Sequence, residues 1–329
     1  MNSNQLNRKI DSYIQSMHER GDFNGSVLVA VQGEVILARG YGFANVELNV
    51  PNQRETVYRI GSNSKPITAE AILTLAYQGQ LRLEEQLTTY LPEFSQWEHI
   101  SIEQLLTHRS GIPNLVLLPE FPQFSLLPHT VDELIATFSA LPLNFEPGTS
   151  FEYANSNYIL LGKVIEAISG KSYADYVREY VLLPAGMENT MLEDSTTIIA
   201  NRAVGYEVDP KGSLQRASHI DMSNAHAAGG FLSTIDDLYR LNFAMRSKRW
   251  FEQDAGDVSG NMYAHHHQPY GYGWFIPSIP VVFHHGGING FTSTFVRHLE
   301  QNLTVIALSN IVTPNTAALG QKLMDMLME

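Results

Sequence analysis

Strand-type runs sit at both ends of this chain, and helix-type runs fill the middle. Gly25 to Val31 and Glu34 to Gly42 are apolar or alternating stretches joined at Gln32-Gly33, a hairpin signal. Far downstream, Val281 to His285, Phe291 to His298 and Leu303 to Ser309 have the same character, with a turn at Glu300-Gln301-Asn302. Between them, from Pro66 to about Arg246, the pattern is largely helical with long connections. Leu6, Ile10, Tyr13, Ile14 and Met17 mark an amphipathic helix that Gly21 stops, and Leu319, Leu323, Met326 and Leu327 mark another at the far end. Strands so distant in the chain imply one sheet assembled from the two termini. The prediction is an α+β fold: an antiparallel sheet flanked by terminal helices, with a mostly helical region inserted. The expected division is 1–61 plus 250–329 for the sheet region and 62–249 for the insert, within a single structural unit.

Composition narrows the function classes. The 44% hydrophobic and 17% charged content suits a globular protein with a substantial core. A formal charge of -13 argues against nucleic acid, because no basic stripe replaces phosphate counterions. The absence of cysteine removes disulfides, thiolate metal sites and thiol nucleophiles. No apolar run reaches the roughly 20 residues of a membrane span. Met1 to Gln5 has no signal-peptide character, so the expected location is cytoplasmic for the chain as written, and periplasmic or secreted if a leader has been trimmed.

Chemistry concentrates first at Ile60-Gly61-Ser62-Asn63-Ser64-Lys65-Pro66-Ile67-Thr68. Ser62 and Lys65 are one helical turn apart and leave the same face, so an amine stands beside a hydroxyl that needs a base to become a nucleophile. If Ser62 opens the helix, unpaired N–H groups also point at any anion formed there. Pro66 is tolerable in a first turn but is expected to push Lys65 away from helical geometry. Alone, Ser-x-x-Lys also reads as a capping serine and a solvated lysine.

Other motifs carry less. Ser169-Gly170-Lys171-Ser172 imitates the end of a phosphate loop, but Ile165 stands where the upstream glycine belongs, and the segment ends a helix. His265-His266-His267 lacks a spaced carboxylate and reads as a solvated loop, so no metal is expected. Leu115 to Pro128, with Pro119, Pro122 and Pro128 among large apolar residues, reads as a loop that is either a packed flap or a cleft wall.

Ser62-Asn63-Ser64-Lys65, Tyr153-Ala154-Asn155 and His285-Gly286-Gly287, in that order and spacing, resemble the serine β-lactamase and penicillin-binding-protein superfamily. The similarity is to its class C-like branch, with D,D-carboxypeptidase, D-aminopeptidase and esterase relatives. Leu105 to Pro113, Glu166 to Tyr173, Ala228 to Leu238 and Gly271-Tyr272-Gly273-Trp274 extend it through nearly the whole chain. The resemblance implies a serine hydrolase with Ser62 as the acyl-enzyme nucleophile and the active site between the two regions. It implies Lys65 and Tyr153 as the proton-handling pair, and Asn155 orienting Lys65 and the substrate. It also implies His285 to Gly287 on the strand edging the site, and the N–H groups of Ser62 and Ile288 as the oxyanion hole. No cofactor is expected, and the partner is a small-molecule acyl substrate.

The residues make that chemistry coherent. A Tyr153 beside a Lys65 ammonium is expected to have a lowered pKa and to accept the Ser62 proton. His108 has no partner motif and reads as structural. The superfamily's third motif is typically Lys-Thr-Gly or Lys-Ser-Gly, suited to a substrate carboxylate, whereas this chain has His285-Gly286-Gly287. The expected activity is therefore on esters or amides of uncharged acyl groups, with His285 reading a carboxylate only below its pKa. A true β-lactamase or D-Ala-D-Ala carboxypeptidase is the alternative, and a slowly deacylating penicillin-binding sensor a second.

Overall fold

A computed structural model describes residues 3–247, 270–278, 280–312 and 316–329, so the His265-His266-His267 run lies outside the described residues. The chain opens with helix α1 (Ser3–Glu19) and the hairpin β1 (Gly25–Val31) and β2 (Glu34–Tyr41). The middle holds helices α2 (Lys65–Tyr77), α3 (Asn155–Ser169) and α4 (Ile235–Ser247) among shorter ones. Strands β3 (Tyr270–Gly271), β4 (Trp274–Ser278), β5 (Val281–Ile288), β6 (Phe291–His298) and β7 (Leu303–Ser309) follow, and α5 (Thr316–Met328) closes the chain.

The seven strands form one sheet in the order β3-β4-β5-β6-β7-β1-β2, with every neighbouring pair antiparallel. The two ends of the chain meet at the β1–β7 ladder, where Val29 pairs with Val305 and Leu28 with Ile306. The α+β architecture expected from the two sets of strand runs is what forms.

The sheet is covered on both faces, which explains why its central strands are apolar without interruption. Val27, Val29, Val305 and Ala307 pack with Ile10, Ile14, Leu319 and Leu323 under the terminal helices. The alternate residues Leu28, Ala30, Ile306 and Leu308 join a second core with Ile67, Ile72, Leu75 and Tyr158 of the inserted region. Side chains of a strand alternate between faces, so residue parity decides which core each one enters.

The insert is less purely helical than its pattern predicts. Tyr58–Arg59, Phe231–Ser233 and Met191–Leu192 make a small three-stranded sheet beside the site. Strands of two or three residues are too short to show a period of two. The proline-rich stretch 115–128 likewise contains a short helix at Phe121–Phe124.

Candidate active site

Ser62 lies in a 3-10 turn, Gly61–Ser64, that runs directly into α2. Gly61 has φ +50, and a Cβ there would come within 2.8 Å of the Gly287 nitrogen, so the turn needs glycine. Pro66 falls in the first turn of α2, where no N–H is lost. Contrary to expectation, Lys65 keeps helical angles, φ -63 and ψ -40. The helical register thus outweighs the bias imposed by the following proline, and it holds the amine over the Ser62 hydroxyl.

Lys65 is fully buried. Its Nζ lies 2.7 Å from Asn155 Oδ1, 2.7 Å from the Ala228 carbonyl and 3.0 Å from Ser62 Oγ. The first two are pure acceptors, and the third is a hydroxyl that can donate. An ammonium can donate to all three oxygens, and a neutral amine can donate to Asn155 and Ala228 and accept from the Ser62 hydroxyl, so the contacts suit either form. Burial lowers the Lys65 pKa well below that of an ordinary lysine, with no carboxylate opposing it. Asn155 is set in turn by α3, whose first residue it is, and by Asn114 Oδ1, which accepts its backbone N–H at 3.0 Å.

Tyr153 corrects a second expectation. Burial raises its pKa instead of Lys65 lowering it. The Lys65 Nζ sits over the Tyr153 ring, 4.8 Å from its centroid. That oxygen is buried and makes no hydrogen bond of ordinary geometry among the described residues, although the Ser62 hydroxyl is near enough to favour ionisation slightly. The phenol is thus a protonated group beside the Ser62 hydroxyl.

The ring is held by a cluster that was not legible in the sequence. His108 packs 4.4 Å from Tyr153 and 4.6 Å from Tyr270, centroid to centroid. Its Nδ1 accepts the Ala154 N–H at 3.2 Å and faces Asn157 Nδ2 at 3.1 Å. His108 follows a capping-box helix, Ile102–Leu106, and has φ +57, which turns its ring inward behind Tyr153. It packs against the wall of the site.

Strand β5 requires a further correction. Gly286 faces Ser62: a Cβ there would meet the Ile60 carbonyl oxygen at 2.1 Å and the Ser62 nitrogen at 3.0 Å. By parity His284 shares that face and His285 does not. His285 bonds Thr294 Oγ1 at 2.7 Å and stacks on Phe283 at 4.5 Å, and Thr294 abuts Gly320 of α5. His285 therefore lies on the terminal-helix side and cannot read a substrate carboxylate. His284 is buried beside Tyr153, its ring centroid 6.2 Å away. Its Nδ1 donates to the His285 carbonyl at 2.7 Å, which leaves Nε2 to accept from Tyr270 Oη at 3.0 Å. Burial pushes its pKa well down, which favours the neutral ring.

Parity also moves the oxyanion donor. Ile288 and Phe291 close a two-residue turn and pair in register. Residues flanking such a turn exchange hydrogen bonds, which commits the Ile288 N–H to β6. The Gly287 N–H then points outward, beside Gly61 and Ser62. The N–H groups that face the cleft together are those of Ser62 and Gly287, whereas that of Ile288 is committed to β6. A cleft of about 250 Å³ opens over Ser62, lined by Asn155, Gly287, Ile288 and Ile220, with Val116 and Phe121 from the proline-rich stretch. That stretch is a cleft wall as well as a packed segment, since its Leu115 is fully buried.

Gly286 gives a direct test of this register. Gly286→Ala places a methyl against the Ile60 carbonyl and displaces the Ser62 turn. Shifts near 1 Å cost about 10²-fold in rate, so kcat/KM is expected to fall by roughly that much. Gly287→Ala, whose added Cβ meets nothing within 4 Å, is expected to fall far less. Equal losses in the two variants would show that β5 is read in the wrong register.

Residues 10–324 match the Beta-lactamase family, and the chain belongs to it; members of this family are mostly serine hydrolases. Among its relatives, Protein flp of Staphylococcus aureus (strain MW2) is 29% identical over 320 residues, covering 94% of this chain and 64% of that protein. The chain therefore spans somewhat less than two thirds of that relative's length. Penicillin-binding protein 4* of Bacillus subtilis (strain 168) is 26% identical over 325 residues, covering 92% of this chain and 71% of that one. In three dimensions the D-amino acid amidase of Ochrobactrum anthropi SV3 superposes with a TM-score of 0.84 at 24% identity, over 98% of this chain and 99% of that one, which establishes a shared fold.

Proposed function

We propose that this chain hydrolyses esters or amides of uncharged acyl groups through a Ser62 acyl-enzyme. The observation that carries the reading is the fully buried amine of Lys65, whose Nζ lies 3.0 Å from Ser62 Oγ and whose burial favours the neutral form. Ser62 Oγ attacks the acyl carbon and its proton passes to Lys65 Nζ. The carbonyl oxygen becomes an oxyanion facing the N–H groups of Ser62 and Gly287. Tyr153 gives its phenolic proton to the departing oxygen or nitrogen, and the Lys65 ammonium returns a proton to the phenolate through the water that enters the cleft as the leaving group departs. Water then repeats the sequence in reverse on the acyl-enzyme, with Lys65 again the base.

Specificity follows from β5. Lys-Thr-Gly falls in register with His284-His285-Gly286, because Gly286 alone has no room for a side chain. A neutral His284 bonded to Tyr270 offers a substrate carboxylate neither fixed charge nor a free donor. A lost charge-assisted hydrogen bond is worth about 1.5–3 kcal/mol, roughly ten- to a hundredfold in discrimination. The similarity to penicillin-binding protein 4* favours the second reading, a β-lactamase or D-Ala-D-Ala carboxypeptidase. The comparison that separates them is nitrocefin against p-nitrophenyl butyrate on one preparation, with the ester expected to have the higher kcat/KM. His284→Lys with His285→Thr is expected to shift the ratio toward nitrocefin, whereas His285→Lys is not. A wild-type preference for nitrocefin overturns the ester reading. A product burst without turnover assigns a sensor.

A further inference from the structure

A second recess opens beside the catalytic cleft and shares Ile220 and Asn289 with it as walls. Arg59, Arg202 and Arg216 all line it. The whole chain has only 21 lysines and arginines against 34 acidic residues, so three guanidinium groups in one hollow run against its overall charge.

The pairing leaves positive charge over. Arg59 makes a two-pronged bond to Glu193, Nε and one terminal nitrogen each 2.8 Å from a carboxylate oxygen. Arg202 binds the same carboxylate. Two guanidinium groups therefore share one buried carboxylate, a local net charge of about +1 by simple count, while the Glu207 carboxylate, which accepts from Ser218 Oγ of the wall at 3.1 Å, lies at the exposed side. Arg216 is paired with Glu47 at the exposed rim. Each guanidinium has five N–H donors, so Arg202, whose side chain is 34% exposed, keeps donors for a ligand beyond Glu193. The floor is backbone held tight: a Cβ on Gly290 would meet the Gly205 Cα at 2.7 Å and one on Gly205 the Phe291 ring at 2.6 Å. Asn289 Nδ2 ties the shared wall to the Ser218 carbonyl at 3.0 Å.

We infer that this recess is an anion subsite that holds a carboxylate or phosphate carried on the substrate at a distance from the scissile bond. The inference rests on the Ser62 acyl-hydrolase reading for its link to turnover. It is compatible with a neutral acyl group, since the charge is read by Arg202 and not by β5. Guanidinium groups bind planar carboxylates and phosphate oxygens alike, and the partly exposed setting makes the attraction salt-sensitive.

The test uses matched aryl acetates: 4-acetoxyphenylacetate, its methyl ester, and 4-acetoxyphenyl phosphate. Both charged substrates are expected to exceed the methyl ester in kcat/KM by about tenfold or more at low salt; the larger gain identifies carboxylate or phosphate as the preferred anion. Arg202→Gln is expected to erase the ratio and Arg202→Lys to keep part of it, which separates lost charge from misfolding. A binding readout needs no turnover: in Ser62→Ala, phenylglyoxal modification of Arg202, followed by mass spectrometry, is expected to slow with 4-hydroxyphenylacetate or inorganic phosphate. Protection without any esterase activity would leave the subsite standing and remove the acyl-hydrolase reading. Equal rates for charged and neutral acetates, or no protection of Arg202, overturns the subsite.

Discussion

Ser62→Ala is expected to lower kcat/KM for an activated ester by roughly 10⁴–10⁶-fold, the scale seen when a nucleophile that acts as a unit with its base is removed. The substitution deletes one oxygen from a short turn, and Lys65 keeps its bonds to Asn155 and Ala228, so the fold and the cleft persist. A fluorophosphonate probe is expected to add its mass to the peptide containing Ser62 in the wild type and to leave the variant unlabelled. Labelling or near-normal turnover in Ser62→Ala would place the nucleophile elsewhere.

Removing the base is expected to rank second. Lys65→Met keeps the length of the side chain and removes the amine, and a loss of about 10²–10⁴-fold is the usual worth of general base catalysis. The pH profile distinguishes Lys65 from Tyr153. Burial lowers the Lys65 pKa and raises that of Tyr153. With a neutral Lys65 amine as the proposed base, kcat/KM is expected to rise with pH through the lowered Lys65 pKa and to level off below the ordinary lysine value of about 10.4. A phenolate base with a raised pKa would instead keep the rate climbing beyond about 10. Tyr153→Phe is therefore expected to lower the rate while keeping the rising limb. Its disappearance in Tyr153→Phe, or persistence in Lys65→Met, gives the base role to the tyrosine.

Much of the site was legible because its residues lie in short, local patterns. Ser62 and Lys65 are one turn apart on a helix, and Asn155 starts a helix whose apolar stripe is plain in the sequence. What failed to show depended on contacts between distant segments. His108 reached Tyr153 only because a positive-φ turn aims it there, and the Ala228 carbonyl that completes the Lys65 environment has no side-chain signature at all. The register of β5 was available in principle, since Val282 and His284 share parity with Gly286, but two adjacent histidines gave the motif two possible alignments.

Periodicity alone was enough to specify five of the seven strands of the sheet and the long helices of the insert, but not the short strands Tyr270–Gly271, Trp274–Ser278 and those beside the site. Burial on both faces is a property of each strand's own residues. Protonation was not specified in that way. Desolvation depends on every atom packed around Lys65, Tyr153 and His284, and those atoms come from the α2 turn, the α3 start, the Ala228 segment and β3 to β5. The sequence names the groups that handle the proton. Only their shared burial favours a neutral lysine, a protonated tyrosine and a neutral histidine, because in a dry site the cost of charge exceeds each group's ordinary preference.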